Sequence, residues 1–136
     1  MRLSPVFVAL AALLVAAVAF AAKPPSGTAN ITSLAASGIS GSADIKFEQS
    51  GLARVHESIS GLTPGVEYES LVYTGSTTCG SGTSAVLMTF TANASGRANF
   101  NVIAPPQVSP TEGSASISVQ RVSDNALLAC GEIVVQ

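Results

Sequence analysis

Apolar and polar residues alternate with a period of two in short runs along this sequence. Each run ends in turn chemistry, and that combination restricts the chain to a β architecture. Ala43, Ile45 and Phe47 alternate with Asp44, Lys46 and Glu48, the pattern of a strand with one buried and one wet face. Val55, Glu57 and Ile59 share the opposite parity from Arg54, His56 and Ser58, which predicts a second strand with less cleanly sorted faces. Val86, Met88 and Phe90 read as another apolar face, as do Phe100 with Val102 and Ala115 with Ile117 and Val119. The breaks are Ser50-Gly51, Gly61-Leu62-Thr63-Pro64-Gly65, Asn93-Ala94-Ser95-Gly96, Pro105-Pro106 and Ser123-Asp124-Asn125. With no sustained helical period and no internal repeat, about eight short strands predict an all-β antiparallel sandwich or barrel.

The amino terminus sets the expected compartment. Met1-Arg2 is a short positive start, Val6 to Phe20 is an almost unbroken apolar run, and Ala19-Phe20-Ala21 supplies the small-x-small pattern of a cleavage site. Residues 1–21 therefore read as a signal peptide and residues 22–136 as one secreted domain, extracellular or periplasmic. A rival membrane anchor is short for the task, because about 15 apolar residues at about 1.5 Å each reach only about 22 Å of a ~30 Å hydrocarbon core. The mean hydropathy of +0.47 partly reflects this leader. No cysteine follows the run where a lipoprotein would be acylated.

Composition excludes several function classes. Charged residues make up 10% of the chain and the formal net charge is -2, so there is no basic footprint for nucleic acid. With one histidine and two cysteines, the side chains that supply most acid-base chemistry and metal ligation are nearly missing. In an oxidising compartment Cys79 and Cys130 are expected to pair, since they are the two thiols in the chain. A reactive cysteine would instead need a nearby base, and none is identifiable.

Three stretches together resemble the Cu,Zn superoxide dismutase family and its non-enzymatic, CHRD-type relatives. Gly61-Leu62-Thr63-Pro64-Gly65 followed by Tyr68 to Gly75 is similar to the turn and strand leading into the copper-binding segment. Cys79 then falls where that family places its loop cysteine, and Leu128-Ala129-Cys130-Gly131-Glu132-Ile133 resembles the closing segment that carries the other. Thr91 to Gly96 is similar to a hairpin between middle strands. The resemblance covers most of the chain from about Gly41 and implies a Greek-key antiparallel β-sandwich, superoxide dismutase-like or immunoglobulin-like, with a Cys79–Cys130 bridge.

The departures carry as much weight. Where the enzymes place a histidine-x-histidine copper pair, this chain reads Tyr68-Glu69-Ser70-Leu71-Val72-Tyr73, and the histidine-rich zinc loop has no counterpart between Thr74 and Ser84. The arginine that guides the anion is replaced by Leu127. Copper cycling needs several imidazoles, so the resemblance implies a non-catalytic member with no metal cofactor. Leu62-x-Pro64-Gly65-x-x-Tyr68 also resembles the tyrosine corner of fibronectin type III domains, although there the segment lies near the end of the domain.

Few residues stand out as candidates for chemistry. His56, Asp44 and a serine form a hydrolase triad only on paper, because no Gly-x-Ser-x-Gly elbow is present. Glu67 and Glu69, two apart on a strand, would share a face and offer oxygen ligands to a hard cation, with His56 as a further metal donor. Tyr68 reads as a packing and hydrogen-bonding residue. Tyr73, Thr74, Thr77 and Thr78 open the long Thr74–Ser84 loop and are the expected contact surface. Asn30-Ile31-Thr32 and Asn93-Ala94-Ser95 fit the N-glycosylation acceptor pattern. The expected function is a secreted binding or structural module whose partner is an extracellular or envelope protein or a glycan.

Overall fold

The computed structural model describes residues 25–48, 50–106 and 114–136, so the expected signal segment 1–21 lies outside the described residues. Eight strands follow in order: β1 (Ser26–Ser33), β2 (Ser40–Phe47), β3 (Ala53–Ser60), β4 (Glu67–Thr74), β5 (Thr83–Thr91), β6 (Ala98–Ile103), β7 (Ala115–Arg121) and β8 (Leu127–Val135). All paired neighbours are antiparallel, and the ladder order is β5-β4-β7-β8-β1-β2-β3-β6. The sheet curls so that the β6-β3-β2-β1 half faces the β5-β4-β7-β8 half across one apolar core. The crossovers from β3 to β4 and from β6 to β7 give the sheet Greek-key connectivity. The two end strands β5 and β6 approach each other without forming a ladder, leaving a seam in an otherwise barrel-like shell.

The alternation accounts for most of the packing. Ala43 and Ile45 are buried on β2 between exposed Asp44 and Lys46, and Val55 and Ile59 are buried on β3 between exposed Arg54, His56 and Ser58. Their partners across the core include Tyr68 and Val72 of β4 and Ile117 and Val119 of β7. Burying a Val or Ile side chain contributes roughly 1.5–3 kcal/mol, so these inner faces supply most of the driving force. Aromatic rings close the interior of the seam: Phe90 of β5 lies 6.0 Å from Tyr68 and 5.1 Å from Phe100 of β6 between ring centroids.

Two strands depart from the sequence reading. On β5, Phe90 is buried but Val86 and Met88 are 42% and 38% exposed, and Leu87 is the inward residue instead. The cause is a β-bulge: Ser70 pairs with Met88 and Leu71 with Val86, so Leu87 is an extra residue that inverts the parity of the strand's first half. On β7, every residue from Ala115 to Val119 is buried, so both of its faces are covered.

Candidate functional site

The Thr74–Ser84 loop is folded back on the sheet. Cys79 and Cys130 form a disulfide with Cα atoms 5.9 Å apart, tying the loop to β8. Cys79 Sγ lies 3.2 Å from the Ile117 carbonyl oxygen, and Cys130 is the register partner of Ser118, so the loop crosses the outer face of β7. Within the loop, Ser76 Oγ accepts the Thr78 N–H at 3.0 Å and contacts Ser81 Oγ at 2.7 Å. Thr77 and Thr78 are exposed at its tip and Thr74 is half-buried. Tyr73 corrects the expectation: it is 6% exposed, because its parity on β4 sends the ring to the outer face beside β7, where burial extends to both sides of the sheet.

A second surface, which the sequence reading did not identify, lies on the outer face of the β1-β2-β3-β6 half. Register places Thr28 opposite Asp44, Asp44 opposite His56, and His56 opposite Asn101, one polar row across four strands. Parallel rows run Asn30–Ser42–Ser58–Asn99 and Ser26–Lys46–Arg54–Ile103. The first row, together with Ser26, Lys46, Arg54 and Gln136, lines a shallow groove of about 550 Å³. His56 Nδ1–H donates to Asn101 Oδ1 at 3.1 Å, which orients the ring and leaves Nε2 without a partner among the described residues. Arg54 donates through Nε and Nη2 to Glu48 Oε1 at 3.1 and 3.0 Å, while Lys46, directly opposite Arg54, makes no ion pair among the described residues. The groove thus offers donors, acceptors and both signs of charge on a rigid sheet, which suits recognition more than bond making.

The triad read on paper is not assembled. Asp44 does oppose His56, but the imidazole Nδ1 is bonded to Asn101, and no hydroxyl among the described residues is hydrogen-bonded to His56. The proposed cation donors are also separated. Glu67 and Glu69 lie on the outer face of β4 and His56 on the outer face of β3, on opposite sides of the core. Glu69 is half-buried and accepts from Gln120 Nε2 at 2.6 Å. Among the described residues no group of three or more His, Cys, Asp or Glu side chains is placed to hold a metal ion. The donor set on β4, with buried Tyr68, Ser70 and Val72 alternating with Glu67, Glu69 and Leu71, does not fit an imidazole-rich copper and zinc centre.

The core holds one unexpected ionisable group. Glu57 is fully buried on the inner face of β3, where Ser70 Oγ of β4 donates to its Oε1 at 2.5 Å and Oε2 has no partner among the described residues. Burial pushes its carboxyl up to about 7, partly opposed by the Ser70 hydrogen bond. The signal was present in the sequence as the one carboxylate sharing the parity of Val55 and Ile59.

Both sequon asparagines are exposed. Asn30 lies within β1, and Asn93 sits in the β5–β6 turn, where its Oδ1 accepts from the Ser95 N–H and the Arg97 N–H. No helix among the described residues is long and apolar enough to cross a membrane.

No protein-family model matches the chain, and no curated protein is significantly similar to it.

Proposed function

We propose that this chain is an extracytoplasmic, disulfide-bonded β-sandwich module of the superoxide dismutase-like or CHRD type. It carries no redox metal centre and binds a partner through the polar face of the β1-β2-β3-β6 half. The observation that carries this reading is the groove in which Thr28, Asp44, His56 and Asn101 form one row on four hydrogen-bonded strands. A polar face fixed on a rigid sheet recognises hydroxyl- and amide-bearing surfaces at low ordering cost. The partner class is an envelope or extracellular protein or a glycan. The Cys79–Cys130 bridge is consistent with an oxidising compartment, which supports the extracytoplasmic placement.

The test compares wild type with the Asp44→Ala/His56→Ala double variant, each immobilised and presented to a glycan array and to envelope proteins from the source cells. Binding by wild type that the variant loses supports the groove as the contact face. Equal binding by both would move the contact to the Thr77–Thr78 loop tip. Elemental analysis of natively purified protein separates the module from a metal carrier: stoichiometric copper, zinc or calcium would overturn the module reading.

One observation favours a fibronectin-like adhesion module instead. The Thr63 N–H donates to the Tyr68 hydroxyl at 3.0 Å, the local geometry of a tyrosine corner. Four strands follow β4, however, whereas that motif closes the domains it marks. The hydrogen bond is therefore assigned a local structural role.

A further inference from the structure

Glu57 and Ser70 each lie one strand in from the open seam. Glu57 on β3 is the register partner of Phe100 on edge strand β6, and Ser70 on β4 is the partner of Met88 at the bulge of edge strand β5. Their hydrogen bond therefore ties the two halves of the shell together beside the seam. We propose that Glu57 is a proton-operated latch across the β5–β6 seam: the neutral acid is tolerated in the closed core, and its ionisation opens the seam because the Ser70 hydrogen bond alone does not compensate a buried carboxylate.

The surroundings of the carboxyl support this role. Along β3 its inward neighbours are Val55 and Ile59, and laterally it faces Ala43 and Phe100. The charged residues of the elements around it point outward: Asp44 and Lys46 of β2, Arg54 and His56 of β3, and Glu67 and Glu69 of β4. β5 and β6 carry no charged residue. Tyr68 is the other titratable group on the inner face of β4, and its hydroxyl is engaged by the Thr63 N–H. A carboxylate formed here would have no cation within the core, one hydrogen bond, and one oxygen lacking a partner among the described residues.

Water is the remaining source of compensation, and the seam is its easiest route. β5 and β6 are each held by one ladder only, so once the Phe90–Phe100 contact parts either strand can fray from its single neighbour and expose its amides, whereas the inner strands of the described sheet are held by two ladders. This inference does not depend on the groove, which lies on the outer face.

Native-state hydrogen exchange from pH 5 to 8.5, corrected for intrinsic exchange, tests the latch on wild type and on Glu57→Gln. The wild-type opening constants of β5 and β6 amides are expected to rise about tenfold per pH unit up to about pH 7 and level off above it. The same amides in Glu57→Gln should show no such rise. A wild-type profile without pH dependence, or an equal rise in the variant, overturns the proposal. So does exchange of β5 and β6 only together with β1 and β8, which would make Glu57 a determinant of global stability alone. Should Glu57→Gln fail to fold, the carbon-13 shift of the wild-type Glu57 carboxyl reads its titration directly. A midpoint near 4.5, its ordinary value, overturns the latch.

Discussion

Tyr68, buried at the start of β4, accepts a hydrogen bond at 3.0 Å from the backbone N–H of Thr63 in the turn that precedes the strand. The bond pins the β3–β4 crossover to the core, where the ring also contacts Phe90. Tyr68→Phe keeps the ring and leaves the Thr63 N–H without its acceptor. The expected loss is about 1–2 kcal/mol of unfolding free energy. Chemical denaturation with an unchanged slope would measure it, and a variant as stable as wild type would remove the tyrosine from the structural account.

The Cys79–Cys130 bridge spans a sequence separation of 51 residues and links the loop to β8. Closing a loop of that size lowers the entropy of the unfolded chain by an amount equivalent to about 4 kcal/mol. The Cys79→Ala/Cys130→Ala variant is expected to lose about 2–4 kcal/mol, a large share of a small domain's margin. The expected first site of limited proteolysis in that variant is the released Thr74–Ser84 segment. Cleavage that instead begins at the β5–β6 turn would show that the loop holds its place without the bridge.

How far the sequence leads is visible at particular residues. Alternation located β2, β3 and β6, because a strand with one wet face writes its orientation into every second residue. It failed on β5, where one additional residue, Leu87, reverses parity: nothing within the strand announces a bulge that is defined by its pairing with β4. Tyr73 was misplaced for a related reason, since the burial of an outer face depends on what the chain lays over it. The groove was invisible because Asp44, His56 and Asn101 become neighbours only when β6 docks beside β3, a long-range pairing that local pattern does not encode.

Gly61 and Gly65 bracket the same turn with the same φ of +76°, yet their surroundings differ. A Cβ on Gly61 would collide with the Gly38 carbonyl oxygen, while a Cβ on Gly65 would meet nothing within 4 Å. Both alanine substitutions carry a left-handed backbone cost of about 1–2 kcal/mol. Gly61→Ala is expected to lose clearly more than Gly65→Ala because Gly38 or the turn must also shift. Parallel thermal melts of the two variants would decide it, and equal melting temperatures would show that the Gly38 segment yields freely.

Ser70→Ala probes the buried carboxyl from its other side. The Ser70 hydroxyl donates to Glu57, and a donor favours the ionised acceptor, so it pulls the carboxyl down while burial raises it to about 7. Without the hydroxyl the folded-state value rises further. The sign of the pH effect follows from the proton count. Between about 4.5 and about 7 the folded chain holds a proton that the unfolded chain has released, so wild-type stability is greatest in acid, falls with rising pH and levels off above about 7. In Ser70→Ala the decline should continue to higher pH before it levels. At pH 5, where the acid is neutral in the fold, the variant should lose about 1 kcal/mol, an ordinary hydrogen bond. Above the variant's own midpoint the loss should grow to about 1.5–3 kcal/mol, because the bond removed there served a charged acceptor. Denaturation curves at the two pH values measure the difference, and an equal loss at both would mean that Ser70 does not distinguish the acid from its carboxylate.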